Sequence, residues 1–142
     1  MATVNPYFCF NGNCEEAFNF YKSVFGGEFR QIARFGDMPM PGQELSAEAK
    51  NRIMHVALPI SKETILMGSD SNPTMGDVTF GQNVSISVLV DSKAEADKIF
   101  NGISAGGVVT MPMNDVPWGA YFGMCNDKFG IIWLINHDYP KK

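Results

Sequence analysis

Cysteine is scarce: the 142 residues hold only Cys9, Cys14 and Cys125, with no C-x-x-C pair among them. An odd, unpaired set excludes a disulfide framework and a thiolate metal clip, and it fits reduced thiols in a cytoplasmic protein. Histidine is scarcer still, with His55 and His137 alone. No stretch reaches the ~20 apolar residues of a membrane span, and no basic-then-apolar leader opens the chain. Neither sign of charge dominates, since 11 Lys and Arg face 15 Asp and Glu for a net charge of −4, without long runs. That surface gives no electrostatic reason to expect nucleic acid or an anionic membrane as partner.

Apolar residues are plentiful at 45%, with 11 Phe and 9 Met, which is the composition of a folded domain. The most informative pattern is a repeated order of elements. Tyr7–Phe10 reads as a strand, Glu15–Phe25 as a helix begun at Asn13, and Gly26-Gly27 as its stop. Further on, Val84–Val90 reads as a strand, Asp91-Ser92 as a helix start, Ala94–Ile103 as the helix, and Gly106-Gly107 as the stop. Such an order, met twice, is an internal duplication with a cleft expected between its halves.

Both helices carry one apolar stripe: Ala17, Phe18, Tyr21, Val24 and Phe25 in the first, Ala96, Ile99, Phe100 and Ile103 in the second. Strands are expected at 28–35, 52–60, 64–70, 108–113, 118–125 and 131–136, with turns at 114–117 and 126–130. Proline interrupts Met38–Gly42, which fits a lid or a dimer-contact arm, and 69–82 reads as a linker. The expected class is α+β: two paired β-α-β-β-β modules, 1–75 and 76–142, forming a curved mixed sheet around a cleft.

Several residues carry a resemblance to a known family. They are Pro6-Tyr7 leading to Phe10-Asn11-Gly12, Glu16-Ala17, Phe20-Tyr21 through Phe25-Gly26-Gly27, and Met54-His55. Met67-Gly68-Ser69-Asp70, Trp118-Gly119 and Asp127-Lys128-Phe129-Gly130 followed by Trp133 complete the set. In this order, over essentially the whole chain, it resembles the vicinal oxygen chelate (glyoxalase/bleomycin-resistance/dioxygenase) superfamily. Within it the chain is similar to the PhnB-like branch, which often bears a demethylubiquinone methyltransferase label. The resemblance implies homodimers, and in metal-dependent members His and Glu ligands on the first and last strands of each module. The matching positions here are Pro6, Ser85 (or Asn83 or Ile86 by register) and Leu134, none of which is a ligand. No bound metal is therefore expected, and no other cofactor either. For an adenosyl group in particular, no glycine-rich loop follows a first strand with an acid closing the second.

Strand alternation supplies the candidate site. Phe8 and Phe10 are expected to face the cleft from one half and Ser85 and Ser87 from the other, with Leu134 and Asn136 joining them. Trp118, beside Gly119, would border the cavity and stack on a planar ligand or plug a subunit contact. His55, inside an apolar strand, is the candidate catalytic residue, as general base or as a pH-sensitive contact, against the plainer role of a satisfied core group. His137 reads as a surface residue near the tail. Cys14, in the first turn of a helix, could have its thiol activated by the dipole, although a small structural residue suits that position better. The reading is a protein that binds or processes a small organic molecule in an apolar cleft. Two rivals stand beside it: a metal-dependent enzyme using His55 with carboxylates such as Glu63 or Asp70, and a protein that sequesters a drug or metabolite.

Overall fold

The computed structural model describes residues 2–37 and 44–140, so the Met38–Gly42 loop lies outside the described residues. Contacts divide the chain into two units, Met1–Thr79 and Phe80–Lys142, a boundary shortly after the one placed at residue 75 from sequence.

The first unit runs β1 (Tyr7–Phe10), α1 (Cys14–Phe25), β2 (Gln31–Arg34), a 3-10 turn at Phe35–Asp37, α2 (Ala47–Asn51), β3 (Ile53–Pro59) and β4 (Ile65–Asp70). Its sheet has the order β1-β4-β3-β2, with β1 parallel to β4 and the other pairs antiparallel. The stripe foreseen on α1 supplies its buried residues Ala17, Phe18 and Tyr21, and the helix packs on β3 and β4. Gly68 permits that approach, because a Cβ there would lie 2.7 Å from the Phe18 ring and 2.9 Å from the Phe8 carbonyl. At the end of α1, Gly27 has φ of +89°, and a Cβ would meet the Pro59 carbonyl oxygen at 2.6 Å, so both conformation and space require glycine.

The second unit repeats the plan with β5 (Ile86–Leu89), α3 (Lys93–Ser104), β6 (Val108–Val116), β7 (Ala120–Asn126) and β8 (Ile132–Asp138). Its sheet order, β5-β8-β7-β6, reproduces that of the first unit strand for strand, including the parallel first pair. The α+β paired-module fold is thus what the chain adopts. Ser92 caps α3 by accepting from the Glu95 amide at 3.1 Å.

Three boundaries depart from the sequence reading. Asn114, Asp115 and Val116 belong to β6, which absorbs the extra residues through two register shifts rather than turning early. Trp118 sits in the β6–β7 turn, not in a strand. His137 lies within β8 and is half-buried, its Nδ1 3.0 Å from the Val90 carbonyl oxygen, so it is no loose tail residue.

A further difference in local structure concerns the start of α1. Asn13 makes no side-chain cap. Asp70, at the end of β4, supplies the carboxylate instead: Oδ1 accepts from the amides of Gly12 (2.8 Å) and Cys14 (2.9 Å), and Oδ2 from Ile53 (2.8 Å). The parallel pairing of β1 with β4 sets Phe10 beside Asp70, which brings this acid to the positive end of the helix.

Candidate functional site

Each strand of the first sheet sends alternate side chains to opposite faces, and α1 covers one of them. On β1 the burial alternates with Phe8 and Phe10 buried, and on β4 with Leu66, Gly68 and Asp70 buried. The other face is shared, by cross-strand pairing, by Tyr7 and Cys9 of β1, Met67 and Ser69 of β4, His55 and Ala57 of β3, and Gln31 and Ala33 of β2. Tyr7 is 51% exposed. Its hydroxyl lies 3.2 Å from His55 Nδ1, and the two rings stack at 5.7 Å with 28° between planes. Nε2 of His55 has no partner among the described residues. His55 is therefore half-buried on the face opposite α1, with Nδ1 beside a phenol.

Phe8 and Phe10 are the clear correction. They point at the helix: Phe8 meets Phe18 and Tyr21 at ring separations of 6.3 and 5.9 Å, and Phe10 meets Phe18 at 6.4 Å. The expected strand face was off by one residue, because the aromatic stripe of α1 needs aromatic partners beneath it and β1 supplies them. These two phenylalanines form core, not a ligand wall. Tyr7, their neighbour on the opposite face, was missed. The signal for it was in the sequence, since burying positions 8 and 10 leaves 7 and 9 to face outward beside the odd-numbered residues of β3.

In the second unit, Ser85 lies just before β5 and is exposed, as is Ser87 within it. Ser87 pairs with Leu134, and both lie opposite the face on which Trp133 and Ile135 are buried. Phe122, Met124 and Asn136 share that outer face. Trp118 is 67% exposed at the turn and packs edge-on against Phe122 at 5.8 Å. The structure thus brings His55 to Tyr7, Ser87 to Leu134 and Trp118 to Phe122.

The carboxylates of the metal-dependent rival do not join His55. Asp70 is 3% exposed on the helix face, spent on three backbone amides, and Glu63 belongs to the β3–β4 turn. Among the described residues no three His, Cys, Asp or Glu side chains are grouped to hold an ion. Asp127 is equally structural. Its Oδ1 accepts from the amides of Phe129 and Ile131 and its Oδ2 from Trp133 Nε1 at 2.9 Å, which gives the Asp127–Gly130 motif a physical role as a turn lock.

Cys14 and Cys125 are inert by environment. Burial, reinforced by the Asp70 charge, pushes the Cys14 thiol far above its ordinary range and outweighs the helix dipole. Burial with the Asp127 charge pushes Cys125 up to about 11. A pocket of about 150 Å³ lined by Gly12, Glu15, Glu48, Asn51, Arg52, Ile53 and Asp70 holds none of the residues expected to line the ligand cleft. Its acids are engaged: Glu15 takes both terminal nitrogens of Arg34 at 3.2 and 2.6 Å, which holds its carboxyl below the usual range, and Glu48 pairs with Arg52 at 3.1 Å. The loop after β1 is likewise filled from within. Asn11 exchanges two hydrogen bonds with the Val78 backbone at 3.0 and 2.8 Å, and the Gly12 amide is taken by Asp70.

With this geometry in place, the chain was compared with known proteins. The profile of the family described as 3-demethylubiquinone-9 3-methyltransferase matches residues 2–136. The chain belongs to this family. The crystal structure of protein PA1353 from Pseudomonas aeruginosa is 40% identical, with 97% of this chain and 98% of that one covered and a TM-score of 0.85. A PhnB protein from Bacillus cereus is 28% identical over 96% and 99% of the two chains, with a TM-score of 0.75. Protein YjdN of Escherichia coli (strain K12) is 29% identical over 94% and 93%. The fold alone extends further, to a glyoxalase/bleomycin resistance protein/dioxygenase family enzyme from Burkholderia phytofirmans PsJN, at 16% identity and a TM-score of 0.58 over 96% and 97% of the chains. Family membership therefore rests on the profile match, and the likeness to the glyoxalase-type protein is one of fold. Among the described residues, no helix is long and apolar enough to cross a membrane.

Proposed function

We propose that this protein binds a small organic molecule on the face of the first-unit sheet opposite α1, with Tyr7 and His55 as its polar anchor. The observation that carries this reading is the 3.2 Å contact between Tyr7 Oη and His55 Nδ1 on a face shared with Cys9, Gln31, Ala33, Ala57, Met67 and Ser69. A few polar groups fixed on an apolar surface are the usual make-up of a small-molecule site. The pair also has acid–base capacity. When Tyr7 donates to Nδ1, Nε2 carries the hydrogen and can donate to the ligand; when Nδ1 donates to Tyr7, Nε2 is free to accept a proton. Methyl transfer, the reaction in the family description, draws no support from the loop after β1, whose polar groups are occupied by Val78 and Asp70.

Native mass spectrometry against a set of small organic fragments tests the reading. Wild-type protein should retain one or more of them, and both Tyr7→Phe and His55→Leu should lose the same ones. Retention that ignores both substitutions would sink it. A homodimer is part of the same proposal, supported by the exposed apolar residues Leu89, Val108, Val109, Met111 and Trp118 of the second unit. Light scattering at tens of micromolar should report twice the chain mass, and a monomer would contradict it.

A further inference from the structure

Resting on the site just proposed, we infer that the ligand class is neutral: a flat or aliphatic molecule with a single hydrogen-bonding group, such as a hydroxyl or a ring nitrogen, and neither a phosphate, a phosphonate nor a sulfonium. The ground is charge complementarity. Among the described residues, the face shared by β1, β4, β3 and β2 around His55 carries no Asp, Glu, Lys or Arg. Its side chains are a phenol, an imidazole, a thiol, a hydroxyl, a thioether, the Gln31 amide and alanine methyls.

Three cations of the same unit are held elsewhere. Arg34 is committed to Glu15 and to the Asn51 carbonyl, Arg52 to Glu48 and Ser71, and Lys22 to Glu28. Arg52 lines the polar pocket that excludes His55, and Lys22 belongs to α1 on the covered side of the sheet. A cationic ligand fares no better, because Asp70 is spent on backbone amides and is turned to the helix. A charge moved from water onto such a face would lose hydration with no counter-ion to replace it. A neutral body loses nothing of the kind, and its one polar group meets Nε2 of His55.

Calorimetric titration with 2-naphthol and with 2-naphthyl phosphate, at about pH 8 where the phosphate carries close to two negative charges, tests this directly. The two probes share one ring system and differ in charge. The naphthol should bind wild type, weaken on both His55→Leu and Tyr7→Phe, and bind at least about tenfold more tightly than the phosphate. Phosphate binding as tight as naphthol, weakened by the same two substitutions, would overturn the neutral class and leave the site standing. Binding of neither probe, or binding indifferent to both substitutions, would bring down the site and this inference together.

Discussion

At the scale of single residues, two buried acids do structural work that their chemistry first suggests as catalysis. Asp70 and Asp127 are 3% and 4% exposed, and each accepts three hydrogen bonds from donors of the chain itself. Asp70→Asn would set an amide N–H against the Ile53 amide or remove the bonds to Gly12 and Cys14. It should cost roughly 2–3 kcal/mol in urea unfolding, the range for hydrogen bonds to a charged group. A ligand affinity reduced with stability unchanged would contradict this structural role. Tyr121 offers a second test. Its hydroxyl donates to Asp97 at 2.6 Å, which raises the phenol to about 12, with Lys93 Nζ 4.5 Å from the ring centroid. Because the folded-state pKa is raised, this contribution to stability is complete below the ordinary phenol pKa of about 10. It is lost as pH rises through about 12. An absorbance titration should show a late-ionising tyrosine that disappears in Tyr121→Phe; an unchanged late phase would assign it to another residue.

Among the elements, the two long helices begin by different means, and substitution should tell them apart. Ser92→Ala removes a side-chain cap from α3 and should cost about 1 kcal/mol, whereas Asn13→Ala should cost under about 0.5 kcal/mol because Asp70 holds that end of α1. Equal losses would contradict the assignment. Gly68→Ala should destabilise by about 1–3 kcal/mol, since the added carbon collides with Phe18 and the Phe8 carbonyl. Much of this level was legible in the sequence. Helix stripes, the hairpin of β3 and β4 and the glycine stops all follow from local pattern. What escaped was set by partners distant in the chain. Asn13 has the chemistry of a cap, but Asp70 arrives there only through the pairing of β1 with β4. The four residues of β1 alternate equally well in either orientation, and only the aromatic stripe of α1 decides that Phe8 and Phe10 turn inward. His137 looked like a tail residue because the length of β8 depends on its pairing with β7, which runs as far as Asp138.

Taken as a whole, the molecule is one plan built twice, with the same strand order in each unit. In each, a helix covers one side of a sheet, and the opposite side of the first unit holds the Tyr7–His55 pair. The duplication and the family were readable from the order of the motifs, but the ligand face was not, since it depends on the register of one short strand. Nuclear magnetic resonance on protein labelled at the methionine and leucine methyls and the histidine rings tests that face most directly. Met67 lies on the Tyr7–His55 face, while Leu66, one residue before it on β4, is buried on the α1 side of the sheet. Titration with 2-naphthol should shift the Met67 methyl and the His55 ring signals together and leave Leu66 in place; a shift at Leu66 with Met67 and His55 unmoved would contradict the assignment of the site.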